Sequence, residues 1–248
     1  MLAAGLLRSR VARIGAVLVV ALCTLMVGYL VGGTTAASTP VIWRIVDSGC
    51  NRGETAPAGL TCRSGNMDAV LKDRCGATHF LLIPTLRRVG VESPELLRPD
   101  EPNYFADAWD ARDQVVRAAG RDSAASDEIG LAVNSRWGRS QRQLHIHIDF
   151  VNPAVRLALH QWSQAGAPAG ELRLAGHDYH VMHVASLQPP TPFVRLAPAS
   201  AATLPDRLTI AVIGDGGTGF FLLSTSADIF SLNRGHAEEL LVPKACGG

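Results

Sequence analysis

The sequence predicts an α+β domain, an antiparallel sheet with packed helices, preceded by one N-terminal transmembrane helix. Three stretches carry that expectation. From Gln143 to Val151 polar and apolar residues alternate, the two-residue period of a half-buried strand. Asn103 to Ala119 groups Phe105, Ala108, Trp109, Val115, Val116 and Ala119 on one side, with Asp107, Asp110, Arg112, Asp113 and Arg117 largely elsewhere, as an amphipathic helix does. Ile14 to Gly33 is uncharged and mostly aliphatic, and about 20 helical residues span roughly 30 Å of hydrocarbon.

Residues 1–13 form a basic N-terminus, where Arg8, Arg10 and Arg13 precede the apolar run with no acidic residue. Its start is therefore expected in the cytoplasm and the rest of the chain outside it. Residues 14–33 exceed the roughly 7–15 apolar residues of a cleavable signal peptide. Although Ala36-Ala37-Ser38 offers a cleavage-like site, an uncleaved anchor is expected. Residues 34–40 are a Thr/Ala/Ser linker of at most roughly 25 Å when extended, and residues 41–248 form one domain. The location that follows is the inner (plasma) membrane, single-pass, with the domain on the periplasmic side.

An oxidising compartment suits the cysteines. Cys23 lies in the anchor, leaving Cys50, Cys62, Cys75 and Cys246 at spacings that are not a zinc pattern. Cys50 and Cys62 flank a Gly/Pro-rich loop and are the expected disulfide, worth on the order of 3 kcal/mol. Cys75 and Cys246 are a second candidate pair. A net charge of +1 without a long basic run speaks against nucleic acid as a partner.

Within the domain, Trp43 to Val46 opens a short helix. Ala69 to Lys72 and Thr78 to Pro84 read as strands around a turn at Arg74-Cys75-Gly76, and Ile129 to Val133 as the strand before an Asn134 loop. Val155 to Gln164 reads as a helix and Ala165 to Gly170 as a loop. Leu208 to Ile213 and Gly219 to Ser224 bracket a hairpin turn at Asp215-Gly216-Gly217-Thr218. No helix follows those glycines, so a phosphate loop is disfavoured. The second half is a candidate degenerate copy of the first, without a sequence repeat strong enough to assert it.

The chemistry sits on the alternating strand. One face holds Leu144, Ile146, Ile148 and Phe150, and the other Gln143, His145, His147 and Asp149. Burying the apolar face sets two imidazoles and a carboxylate side by side on the opposite surface. His145, His147 and Asp149 are ligand types for zinc, with His160, His180 and His183 as remoter additions. Alternatively, one imidazole is a nucleophile whose neighbours orient it and bind phosphate. Gly138-Arg139-Ser140-Gln141 favours the second chemistry, because a flexible backbone, a guanidinium and a hydroxyl suit an anionic substrate.

Ser140, Gln143-φ-His145-φ-His147 and the Asn134 loop ahead of them, together with Thr78-His79-Phe80-Leu81-Leu82-Ile83-Pro84, resemble the histidine-triad superfamily of nucleotidyl transferases and hydrolases. The match narrows to its bacterial CDP-diacylglycerol pyrophosphatase family at Glu92-Ser93-Pro94, Pro102-Asn103-Tyr104-Phe105, Asn134-Ser135-Arg136, Gly176-His177-x-Tyr179, Asn233-Arg234 and Ala237-Glu238-Glu239. Gln143 departs from the pattern, standing where many members have the first histidine.

The resemblance implies a HIT-like antiparallel sheet and hydrolysis of CDP-diacylglycerol to CMP and phosphatidate in phospholipid metabolism. His145 would be the nucleophile, with Ser140 donating to the leaving group, and His147 and Gln143 hydrogen-bonding phosphate or orienting His145. Asn134 and Arg139, and with them Arg136, would contact phosphate, and no metal or other cofactor is expected. His79 reads as a strand residue, and Asp149 as a strand-end residue able to hold an imidazole tautomer. The expected partners are CDP-diacylglycerol, the membrane and, as for many histidine-triad proteins, a second copy in a homodimer. Two alternatives stand beside this reading. One is a zinc-dependent exported hydrolase using His145, His147 and Asp149, the other a non-catalytic nucleotide- or lipid-binding domain.

Overall fold

A computed structural model describes residues 17, 20, 24, 40–166 and 169–245. Its nine strands are β1 Leu60–Arg63, β2 Asp68–Lys72, β3 Phe80–Pro84, β4 Ile129–Val133, β5 Ile146–Phe150, β6 Ala169–Leu174, β7 His177–Val184, β8 Leu208–Gly214 and β9 Phe220–Ser226. Among the described residues from 40 onward the helices are short: α1 Val41–Val46, α2 Tyr104–Asp110, α3 Asp113–Ala118, α4 Pro153–Gln164 and α5 Pro192–Leu196. Asparagine caps start two of them. The Asn103 side chain accepts from the Ala106 amide at the head of α2, and Asn152 accepts from Ala154 ahead of Pro153 at the head of α4.

The strands pair antiparallel into one sheet of order β1-β2-β3-β5-β4-β8-β9-β7-β6. Leaving aside β1 at one edge, the order is symmetric about the β4·β8 pair, where Leu131 faces Val212 and Ala132 faces Ala211. On one side β2-β3-β5-β4, and on the other β6-β7-β9-β8, follow the same scheme of hairpin, crossover and hairpin.

Strand alternation sends Phe80, Leu82, Leu131, Ile146 and Ile148 to one face, where α2, α3 and α5 cover them with Tyr104, Phe105, Val115 and Phe193. Truncating a residue such as Phe105 to alanine would cost about 3–5 kcal/mol. On the other face α1 packs over β2 and β3 through Ile42, Val46, Ala69, Leu81 and Ile83. Further along that face α4 and the 3-10 turn Ala237–Leu240 cover Tyr179, Val181, Ala211 and Leu223. His147 projects between these two apolar clusters, in a cross-sheet row that runs Leu81, His147, Ala132, Ala211, Leu223, Val181.

Two expectations are overturned. The first is the transmembrane helix over residues 14–33, and with it the single-pass inner-membrane location and the periplasmic placement of the domain. Among the described residues no helix is long and apolar enough to cross a membrane. α4, at 12 residues, is about 18 Å long, well short of a bilayer core. Of the segment 14–33 only Val17, Val20 and Thr24 are described; its remainder, like residues 1–13 and nearly all of 34–40, lies outside the described residues.

The second is the α+β class with a HIT-like sheet and packed helices. Among the described residues the structure is instead a single large antiparallel sheet with few, short helices. The helix expected over Asn103–Ala119 breaks into α2 and α3 at Ala111-Arg112. Part of the loop expected from Ala165 belongs to β6, which turns into β7 at Ala175 and Gly176, both with positive φ, the geometry of a tight hairpin.

Cys50 and Cys62 form a disulfide with a Cα–Cα distance of 5.6 Å, tying the end of the α1 segment to β1. Cys75 is also disulfide-bonded; Cys246 lies outside the described residues.

Candidate active site

A cavity of roughly 320 Å³ opens in the gap between the two apolar clusters. His145, at the entry to β5, and His147 within it form its floor, and Asn134, Ser140, Glu238 and Lys244 are in its walls. The polar side of the strand is therefore not a solvent face: His145 and His147 are 6% and 4% exposed. α1 and the C-terminal segment roof it, a burial that alternation within one strand cannot reveal. Gly138 lets the roof approach. A Cβ there would lie 2.3 Å from the Gly235 carbonyl oxygen and 2.4 Å from the His236 ring, closer than real Cβ contacts come.

Hydrogen bonding fixes each imidazole. His145 Nδ1 lies 2.8 Å from the main-chain oxygen of Gln143. A carbonyl can only accept, so Nδ1 carries the proton and Nε2 of the neutral ring keeps its lone pair. His147 Nδ1 lies 2.9 Å from His79 Nε2, and His79 Nδ1 lies 3.0 Å from Asp149 Oδ2. Asp149 can only accept, so protons on His79 Nδ1 and His147 Nδ1 satisfy the whole chain and leave His147 Nε2 as an acceptor. The Asn134 amide nitrogen approaches that atom at 3.4 Å. Burial pushes the His145 imidazole below its ordinary 6.5, against a smaller upward pull from the Gln143 carbonyl. Burial pushes His147 well below it too, so both rings are neutral at pH 7.

The residues nominated from sequence are distributed unevenly. Ser140, Asn134, His145 and His147 line the cavity together. The Gln143 side chain points elsewhere: its amide donates to Pro84 and Leu86 carbonyls at 3.1 and 3.0 Å, and its oxygen accepts from Arg87. Gln143 reaches His145 through its backbone instead. Arg139 places both terminal nitrogens 2.6 Å from the Glu92 carboxylate, and Arg136 pairs with Asp206 at 3.4 Å; neither lines the cavity.

The zinc set His145, His147 and Asp149 does not converge. Asp149 commits its oxygens to Thr78, His79 and the Phe150 amide. His160, His180 and His183 pair separately with Asp127, Glu171 and Asp215. A different trio, Asp73, His79 and His147, brings one donor atom each within 4.8 Å of the others. There, however, His79 and His147 are hydrogen-bonded to each other, and the Lys244 ammonium lies 3.3 Å from Asp73. A divalent ion would have to break that bond and meet a like charge.

Asp73, His79, His236, Glu238 and Lys244 were not nominated from the sequence. Glu238 reaches His147 Nδ1 at 3.4 Å and Lys244 at 2.6 Å. Burial acts to raise its carboxyl, but the charge of His147 when that ring is protonated, and of the Lys244 ammonium throughout, outweighs that and holds it below the carboxylate range. The next residue anchors this turn: Glu239 accepts from the Tyr179 hydroxyl at 2.9 Å and pairs with His177 at 3.7 Å. That gives the Gly176-His177-x-Tyr179 motif a structural task. Asn233 and Arg234 dock the same segment, through Asn233 Oδ1 to Gly235 and Ser135 Oγ to the Arg234 carbonyl.

A neutral, tautomer-fixed imidazole beside an acceptor chain in a polar cleft suits a hydrolase acting on a phosphoric anhydride. The family model described as CDP-diacylglycerol pyrophosphatase matches residues 37–247. A relative from Yersinia pestis named CDP-diacylglycerol pyrophosphatase is 38% identical over 220 residues, covering 82% of this chain and 83% of the relative. The chain belongs to the CDP-diacylglycerol pyrophosphatase family and is a hydrolase of CDP-diacylglycerol.

Proposed function

We propose that the hydrolysis runs through a covalent nucleotidyl-His145 intermediate and needs no metal ion. His145 Nε2 attacks the phosphorus of the CMP moiety, forming an N–P bond. The anhydride P–O bond breaks and its electron pair leaves on the phosphatidate oxygen. Phosphatidate is already a weak base, so a hydrogen bond from Ser140 suffices for its departure. Water then attacks the same phosphorus and the N–P bond pair returns to Nε2. The proton of that water passes to His147 Nε2, where the positive charge is spread towards His79 and Asp149, and CMP is released.

The observation that carries this reading is the 2.8 Å contact of His145 Nδ1 with the Gln143 carbonyl, which presents an unprotonated Nε2 in a cavity that also holds Ser140 and Asn134. CMP release from CDP-diacylglycerol is to be measured for the wild type and His145→Ala, with and without EDTA. Release that survives EDTA and vanishes in the variant is expected, with a base-stable, acid-labile nucleotide label on the wild-type chain. Turnover retained by His145→Ala would sink the intermediate. A metal-assisted reading would have to place an ion at Asp73, His79 and His147, against the His79–His147 hydrogen bond and the Lys244 ammonium; loss of release with EDTA that zinc restores would select it over the metal-free one.

A further inference from the structure

On the reading given above the cavity would receive a diphosphate, yet its cation is not one of the arginines that the sequence offers. Arg139 is held by Glu92 and Arg136 by Asp206. Among the described residues lining the cavity, Lys244 alone carries a permanent positive charge. We propose that Lys244 binds the substrate's diphosphate directly, as a substrate-contacting residue of this hydrolase; this rests on the reading of the same cavity given above.

Composition makes the position unusual. Of 23 basic Lys and Arg residues the chain has only two lysines, Lys72 and Lys244. Lys72 is structural, donating to the main-chain oxygens of Asp73, Gly76 and His79. Lys244 stands instead among side chains. Its ammonium lies 2.6 Å from Glu238 and 3.3 Å from Asp73. An ammonium has three donors on a rotatable stem, so two can hold the carboxylates while the third meets a phosphate oxygen. The same pairing shields the incoming anion from Glu238 and Asp73. An arginine in place of Lys244 would tend to lock flat against one carboxylate, as Arg139 does on Glu92.

The backbone on both sides of Lys244 is fixed. The Val242 amide donates to Phe150 and the Gly76 amide to Ala245, each at 2.9 Å. The lysine is therefore delivered to β5 by pinned chain rather than by a loose end, which lowers the cost of positioning it.

Lys244→Ala and Lys244→Arg in the full chain are compared with the wild type for kcat, KM and competitive inhibition by methylenediphosphonate, a diphosphate that cannot be cleaved. Lys244→Ala is expected to lower kcat/KM on the order of 100-fold, as loss of one charge-stabilising donor does. It should also raise the inhibition constant by on the order of tenfold. Ethylammonium is expected to restore part of the activity to Lys244→Ala, and Lys244→Arg to retain part. An inhibition constant unchanged in Lys244→Ala would overturn the proposal. If the variants fail to fold, lysine acetylation of the wild type decides. With only two lysines in the chain, methylenediphosphonate is expected to protect Lys244 and not Lys72, and equal labelling with and without it would overturn the assignment. His145→Ala serves to separate the two readings. Turnover in that variant defeats the covalent intermediate while leaving diphosphate protection of Lys244 to be read on its own.

Discussion

Asp149 and His79, 70 residues apart in sequence, meet at 3.0 Å beneath the floor of the cavity. The pair orients His147 without touching the cavity itself, because His79 Nε2 and His147 Nδ1 share the next hydrogen bond at 2.9 Å. Asp149→Asn would present an amide where His79 needs a pure acceptor and so permit the wrong tautomer. A fall in kcat on the order of 100- to 10,000-fold is expected, by the same tautomer logic as in catalytic triads, with KM little changed. Steady-state CMP release reads both, and wild-type kcat in Asp149→Asn would show that the chain of bonds carries no proton.

Burial lowers His145 and His147 from an ordinary 6.5, and the nucleophile must be neutral to attack. The acid limb of kcat/KM is therefore expected below pH 6.5, with activity lost as pH falls through the lowered value. Stability follows the same sign. Between the folded values and 6.5 the unfolded chain binds more protons, so stability falls as pH drops below about 6.5. A pH–rate profile and urea titrations across pH 5–8 test both; an acid limb above 6.5 would contradict the neutral-nucleophile reading.

Asp107 behaves in the opposite sense. Burial, with Asp68 beside it, pushes its carboxyl up to about 6 from 3.8. Between those values the folded chain binds more protons, so this group's contribution to stability falls as pH rises through the window. Asp107→Asn keeps an oxygen to accept from Asn66, which now donates at 2.7 Å. The variant is expected to be more stable than the wild type at pH 8 by about 1–2 kcal/mol, after allowing for partial exposure. The gain should vanish below pH 4. Thermal unfolding at the two pH values measures it.

Gly138→Ala would drive a methyl group into the Gly235 carbonyl and the His236 ring. A loss of about 1–3 kcal/mol is expected from overpacking. Displacing the 138–141 loop, which carries Ser140 and holds α1 through Gln141, should lower kcat on the order of 100-fold. Activity within twofold of wild type would mean that the roof does not set the geometry of the cleft.

Legibility from the sequence followed locality. β2 to β5, α4 and the β8–β9 hairpin carry their own patterns, and the structure places them within a few residues of where alternation and helical spacing put them. β6 was hidden because Gly170, Glu171 and Arg173 make an edge strand look like a loop. The sheet's second cover was invisible for a different reason: α1 and the C-terminal turn reach the histidines from about 100 residues away on either side. Arg139 shows the same limit, since its partner Glu92 lies 47 residues earlier. Glu238 stood within a recognisable motif, and the scarcity of lysine was a signal for Lys244 that composition already held.

The symmetric strand order about β4·β8 has a consequence for assembly. A polypeptide ending before β6 would leave β4 with a bare row of amides and carbonyls at its edge, the kind of edge that recruits another molecule. Here β8 occupies it within the same chain, in register from Gly130 to Val133. The first half carries His145 and His147, while the second supplies through Tyr179 the bracket for the C-terminal turn that brings Glu238 and Lys244 to them. The second half is thus a resident neighbour, always present at unit stoichiometry and never lost by dilution.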